Sequence, residues 1–219
     1  MKVLIACEFS GTVRDWFTKM GHDATSCDLE PSETLGKHYQ GNVLDILDQG
    51  WDLMIAHPPC TYLTVTGNKW FYHPEDGHMP TSERRPHPRF PDRQQHRKEG
   101  VEFFMALANA PIPMIAIENP IGVMSTIWRK PNQVVHPWQF GHEASKSTCL
   151  WLKGLPLLTP TKIVGKGEFI TYKSGKRMSK WYAEAASKDP KERERIRNRT
   201  FDGIASAFVH QWGSPNSTV

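Results

Sequence analysis

The four cysteines, at positions 7, 27, 60 and 149, form no Cys-x-x-Cys pair. That spacing suggests neither a zinc site nor a disulfide framework, and reduced thiols are the default expectation. No apolar run approaches the roughly 20 residues that a membrane-spanning helix needs. The opening Met1-Lys-Val-Leu-Ile-Ala-Cys7 is apolar for only a few residues before Glu8, too short for a signal peptide and better read as a first strand. The expected location is therefore the cytoplasm, with no membrane partner and no obligate protein partner evident. Strong charge of one sign is also missing. The net charge of +4 and pI near 8.9 permit a polyanionic partner without demanding one. No internal repeat is evident.

What remains is an ordinary globular composition. With 219 residues, 38% of them hydrophobic, and a mean hydropathy of -0.53, the chain can build one full core and one small appendage. Residues 2 to 7 are rich in Val, Leu and Ile without alternation, as in a parallel strand covered on both faces. Ser10-Gly11-Thr12 then opens an amphipathic helix through Val13, Trp16, Phe17 and Met20, with Ser10 as the expected N-cap. Gly11 would let backbone approach a ligand at a helix N-terminus, although such a turn often only connects elements. Ala24 to Asp28 reads as a second strand ending in an acid placed to accept hydrogen bonds from a ribose, or merely to cap a turn. Gly41 to Leu47 is a short strand or helix carrying Asp45. Trp51 to His57 is a strand stopped by Pro58-Pro59 and followed by Cys60. Proline has no N–H for a ladder, so the sheet ends there and the thiol leaves at the carboxyl end of the strand. The bland reading of Cys60 is a small buried hydrophobe.

From Thr64 to Lys98 the pattern breaks into a long stretch of aromatic, basic and proline residues. Lys69, Arg84, Arg85 and Arg89 there suit phosphate contact beside bases stacked on aromatic rings, the alternative being a proline-stiffened solvated excursion. Its histidines make no convincing ligand set, and no metal is expected. A helix follows from Asp92 to Ala108, then a buried strand Met114 to Pro120 carrying Glu118 at its carboxyl end, where it must be paired, protonated or facing a cleft. Lys146 enters a further strand reaching Leu152. Beyond Gly154 come a basic hairpin from Glu168 to Lys180, turning at Lys173-Ser174-Gly175-Lys176, with Lys176 and Arg177 as further candidate nucleic-acid contacts, and a charged helix through Lys191 to Arg199. An apolar helix follows from Thr200, expected to pack on the first strand. The expected fold class is α/β, a doubly wound Rossmann-like sheet with a small basic insertion. The expected units are a core over 1–153, an insertion over 154–199 and a C-terminal helix over 200–219.

In this order, Phe9-Ser-Gly11, Asp28, Asp45, Pro58-Pro59-Cys60 and Glu118-Asn119-Pro120 resemble the motifs of the cytosine-C5 DNA methyltransferase family. Pro-Pro-Cys followed by Glu-Asn is the specific part, and the match runs from residue 2 to about 152. The resemblance implies a methyltransferase fold, S-adenosylmethionine as cofactor and DNA as partner. It implies that Phe9, Gly11 and Pro58 line the cofactor pocket, Asp28 binds the ribose and Asp45 the adenine amine. Cys60 becomes the nucleophile, Glu118 faces the Watson–Crick edge of cytosine, and Lys146 stands in for an arginine at the base carbonyl. The sequence departs from the family after Gly11, where Thr12-Val13-Arg14 replace small residues, and between Leu152 and Phe201, where a target recognition domain is much reduced. Two alternatives stay open: the same chemistry on RNA, single-stranded DNA or a nucleotide, and a catalytically silent DNA-binding decoy.

Overall fold

The computed structural model describes residues 1–214; residues 215–219, the end of the expected C-terminal unit, lie outside the described residues. Seven strands form one sheet: β1 (Lys2–Ala6), β2 (Asp23–Asp28), β3 (His38–Gln40), β4 (Leu53–Ala56), β5 (Met114–Pro120), β6 (Gln133–Val135) and β7 (Thr148–Lys153). Their order is β3-β2-β1-β4-β5-β7-β6. All neighbours are parallel except at β7, which runs against both β5 and β6. The helices are α1 (Thr12–Lys19), α2 (Arg93–Ala108), α3 (Met124–Ile127), α4 (Lys180–Ala186), α5 (Pro190–Asn198) and α6 (Asp202–Trp212). A two-stranded hairpin, β8 (Phe169–Thr171) and β9 (Arg177–Ser179), precedes α4.

The apolar runs of β1 and β4 fail to alternate because both faces are covered. Val3, Ile5, Leu53 and Ile55 pack under α1 and α6 with Phe17, Phe208 and Trp212. Leu4, Ala6, Met54 and Ala56 face the opposite way into a second core with Phe104 and Leu107 of α2 and Trp151 of β7. The sheet is thus doubly wound and the fold α/β and Rossmann-like, as expected. The C-terminal helix packs over β1 and also against α1. No helix among the described residues is long and apolar enough to cross a membrane.

Doubly wound sheets open a crevice at their strand carboxyl ends where the winding direction reverses, here between β1 and β4. Ala6 pairs with Ala56, so the chain leaves both strands side by side. Cys7 adopts φ 57, the one positive φ at a non-glycine residue among those described. A left-handed non-glycine residue costs of order 1–3 kcal/mol, and such strain collects where function fixes a turn.

Several local expectations are corrected. The N-cap of α1 is Gly11 (φ 73), because the Glu8 carboxylate reaches the helix end instead of Ser10. Glu8 accepts from the Val13 N–H at 2.7 Å and the Arg14 N–H at 3.2 Å. Those amides are consumed internally and are not offered to a ligand. The Asp45 segment is a 3-10 turn, Val43–Ile46, capped by the Asn42 side chain accepting from the Leu44 N–H. Strands β3 and β6, at three residues each, are too short for periodicity to reveal. The long stretch after Cys60 is folded: Asp76 is buried and accepts from the Arg85 guanidinium and backbone, while Trp70, His87 and Phe90 pack edge to face or tilted. The helix α4 was not expected, because the hairpin runs into it without a break.

Gly203, in the first turn of α6, shows how context reverses a propensity. Alanine normally stabilises a helix by about 1 kcal/mol over glycine. Here an added Cβ would lie 1.8 Å from the Phe140 carbonyl oxygen. Gly203→Ala is expected to lower the melting temperature in a thermal unfolding scan, and a raised melting temperature would contradict this packing.

Candidate active site

A cavity of about 550 Å³ lies over the carboxyl ends of β1, β4 and β5. Six of the residues singled out from sequence line it: Phe9, Asp28, Pro58, Cys60, Glu118 and Lys146. They come from five separate segments, brought together by strand order. Phe9 follows β1, Asp28 ends β2, Pro58 and Cys60 follow β4, Glu118 lies in β5, and Lys146 precedes β7.

Cys60 sits on a rigid turn. Its carbonyl accepts from the Leu63 and Thr64 N–H groups at 3.0 and 2.9 Å. The two residues behind it are clamped by α2, since the Arg93 guanidinium donates to the Thr61 carbonyl at 3.1 Å and Arg97 to that of Tyr62 at 2.8 Å. On its other side the Asn119 amide donates to the Pro58 carbonyl at 2.8 Å. This bond ties the Pro-Pro-Cys segment to the Glu-Asn-Pro strand and explains why the two motifs belong together. Burial pushes the Cys60 thiol up and the Glu118 charge adds to this, while Lys146 and Arg197 pull the other way. A desolvated thiolate is costly, so deprotonation must be coupled to what binds.

Glu118 behaves oppositely. Burial alone would raise it, but Lys146, a hydrogen bond from His57 and one from Thr148 outweigh that and hold it at about 2. The His57 Nδ1 lies 3.2 Å from Glu118 Oε2. Lys146 Nζ donates to the Arg197 carbonyl at 3.0 Å, joining the floor of the cavity to α5. At the other end, Asp28 is raised by burial, and its carboxylate accepts from the Glu30 N–H at 3.0 Å. A carboxylate has about four acceptor positions, so Asp28 retains capacity for a hydroxyl donor. Phe9 and Pro58 supply apolar walls. These residues fit an adenosine-bearing group.

The basic insertion closes the cavity. Trp181 and Tyr182 of α4 and Lys191, Arg195 and Arg197 of α5 line it. Glu33, in the loop after β2, pairs with Arg195 at 3.2 Å and with Arg199, and the Arg195 guanidinium lies 5.8 Å from the centre of the Phe9 ring. The charged helix therefore has one face on the site, which its sequence does not disclose.

Other residues singled out from sequence stand elsewhere. Gly11 does not line the cavity. A Cβ there would meet Thr34 Oγ1 at 2.1 Å and the Arg14 guanidinium at 2.5 Å, so glycine makes room for Arg14. Asp45 is exposed and away from the cavity. Lys69, Arg84, Arg85, Arg89, Lys176 and Arg177 also lie outside it. Lys69 lies over Trp70, Arg89 over Phe90 and Arg177 over Phe169, while Arg84 donates to the Met79 and Gly77 carbonyls and Arg85 is held by Asp76. Lys176 is exposed at the hairpin turn. Glu8 and His57 line the cavity and were missed. The signal for His57 was its place directly before Pro58 at a strand end, and for Glu8 an acid directly after β1. All four cysteines are free.

No family model and no curated protein matches this sequence. Among solved structures, one similar chain is described as a DNA modification methyltransferase encoded within a prophage of E. coli. It is 14% identical with a TM-score of 0.42, and the match covers 75% of this chain and 52% of that one. This chain thus spans about half the length of that structure. What the site can do follows from its own residues.

Proposed function

We propose that this chain is an S-adenosylmethionine-dependent methyltransferase that acts on carbon 5 of cytosine in DNA through a covalent adduct with Cys60. The observation that carries this reading is that Cys60, Glu118, Lys146, Phe9 and Asp28 line one cavity, with Asp28 at the end of β2 separated from Glu118 in β5 by β1 and β4. Phe9 and Pro58 would pack against the cofactor and Asp28 would accept from its ribose hydroxyls. When bound, the cofactor supplies an electrophilic methyl group.

Carbon 5 of cytosine is too poor a nucleophile to take that group unaided. Addition of the Cys60 thiolate at carbon 6 makes the ring enamine-like and moves electron density to carbon 5. Glu118 faces N3 and the exocyclic amine and stabilises the charge that develops there, while Lys146 stands at the base carbonyl. After transfer, the carbon 5 proton leaves and Cys60 is expelled. In a duplex the base must first leave the stack, at a cost of a few kcal/mol.

The test is direct. DNA containing 5-fluorocytosine, incubated with the protein and S-adenosylmethionine, should yield a covalent complex that maps by mass spectrometry to Cys60. Active enzyme without that adduct overturns the nucleophile assignment. Parallel assays on duplex, single strand, RNA and dCMP separate the substrates, and calorimetry showing no S-adenosylmethionine binding would favour a silent protein.

A further inference from the structure

His57 is the one buried titratable side chain hydrogen-bonded to Glu118, and the chemistry above gives it no task. It closes β4, its N–H donating to the Ala6 carbonyl at 2.9 Å. Its side chain is 8% exposed, with Nδ1 on Glu118, and its Nε2 is buried without a hydrogen-bond partner. An unsatisfied buried ring nitrogen costs about 1–3 kcal/mol.

Resting on the cytosine reading, we propose that His57 is a positioning residue that stores the proton Glu118 delivers to N3 of the base. The need for such a store is chemical. N3 of cytosine is an acceptor and the neighbouring amine a donor. A carboxylate facing that edge can accept from the amine, but its second oxygen would meet the N3 lone pair with no proton between them. The acid that faces N3 must therefore be neutral, whereas Glu118 in the free site is ionised. The Thr148 hydroxyl is too weak an acid to supply a proton. Lys146 spends a donor on the Arg197 carbonyl. His57 Nδ1 lies on Glu118 Oε2, so a proton held on that nitrogen stands on the bond to Glu118.

The step balances. When the base binds, the Nδ1 proton of His57 passes to Glu118, leaving a neutral imidazole and a neutral acid facing N3. As the Cys60 sulfur lone pair forms the bond to carbon 6, the ring electrons shift onto N3, which takes that proton and leaves Glu118 ionised. Carbon 5 then uses the enamine pair to bond the methyl group. When the carbon 5 proton passes to water, the C–H pair restores the carbon 5–carbon 6 double bond and Cys60 leaves as thiolate. N3 returns its proton to Glu118, which passes it back to His57 Nδ1, and the dyad is reset.

Glu118 of β5 and Glu8 from the end of β1 interact with His57, and the charged or titratable groups that share the cavity with it include Cys60, Asp28, Lys146, Lys191, Arg195 and Arg197. The loaded dyad is the active form, so kcat falls as pH rises through the apparent pKa of the pair, while Cys60 ionisation sets the acid limb.

The experiment measures kcat and KM against pH on cytosine-containing DNA for wild type, His57→Gln and His57→Asn. Gln can hold Glu118 but stores no proton. The expected result is a kcat about 100-fold lower, the scale of a lost general acid, with the alkaline limb moved to lower pH. KM for DNA, S-adenosylmethionine affinity and melting temperature should stay near wild type. An unshifted alkaline limb and near-normal kcat in either variant would overturn the inference. So would a wild-type kcat with no alkaline fall, a result that needs no variant to fold. Wild type that binds S-adenosylmethionine but makes no 5-methylcytosine would instead overturn the proposed function, and this inference with it.

Discussion

Replacing Cys60 with alanine is expected to abolish methyl transfer, by about 10⁴-fold or more, while leaving S-adenosylmethionine binding intact. On the proposed mechanism the loss is large because the other thiol lining the cavity, Cys7, is pushed far up by burial and the Asp28 charge, and an oriented base alone would not activate carbon 5. Binding should survive because, on the proposed function, Phe9 and Asp28 rather than Cys60 would hold the cofactor. Incorporation of a radiolabelled methyl group, with calorimetry on the same preparation, reads both halves. A variant retaining even a few per cent of activity would remove Cys60 from the role of nucleophile. Serine is expected to fare no better than alanine, since a hydroxyl in this buried turn is a far weaker nucleophile than a thiol.

The second large effect concerns stability. Arg14→Ala should destabilise the protein by about 3–5 kcal/mol, the range for breaking a buried ionic network. At about 2–4 °C per kcal/mol for a chain of this size, the melting temperature falls by roughly 10 °C. The Arg14 side chain is fully buried. It donates to the Ser26 and Ser32 hydroxyls at 3.0 Å each, to the Leu35 carbonyl at 3.2 Å and to Thr34, and it pairs with Asp15 at 2.7 Å. Gly11 and Gly36 leave the space it needs, since a Cβ at either would meet the guanidinium under 3.0 Å. Truncation strands these acceptors and loosens the loop that carries Glu30 and Glu33, so weaker S-adenosylmethionine binding should accompany the lower melting temperature. Arg14→Lys keeps the charge but loses the planar fork and should fall between. A change of only a degree or two for alanine would mean the network is not what holds this loop.

Arg14 also marks where reading the sequence stopped short. Thr12-Val13-Arg14 stand where the resembled family has small residues. In the structure the arginine turns away from the cavity and braces the β2–β3 loop instead. A single letter cannot tell a long side chain that reaches into a site from one that folds behind it. Asp45 makes the same point: the family resemblance implied an adenine contact, and the 3-10 turn leaves the residue exposed and outside the cavity. The basic residues after Cys60 read as a DNA-facing loop, but several are engaged within that loop by carbonyls, Asp76 and aromatic rings.

Other features were legible because they depend on short-range chemistry. Strands β1, β4 and β5 were visible as unbroken apolar runs, since a parallel strand buried on both faces needs no alternation. Helix α2 was bounded by its own period and the prolines beyond it. The stop at Pro58-Pro59 and the acid in β5 follow from what proline and a buried carboxylate can do anywhere. By itself, then, the sequence determined the α/β class, the central strands and the placement of Cys60 and Glu118 at strand ends. Only the tertiary structure decided that the two line one cavity, that His57 stands on Glu118, and that the basic helix α5 roofs the site. Strand order and the return of a distant helix are set by non-local packing, to which no window of the chain has access.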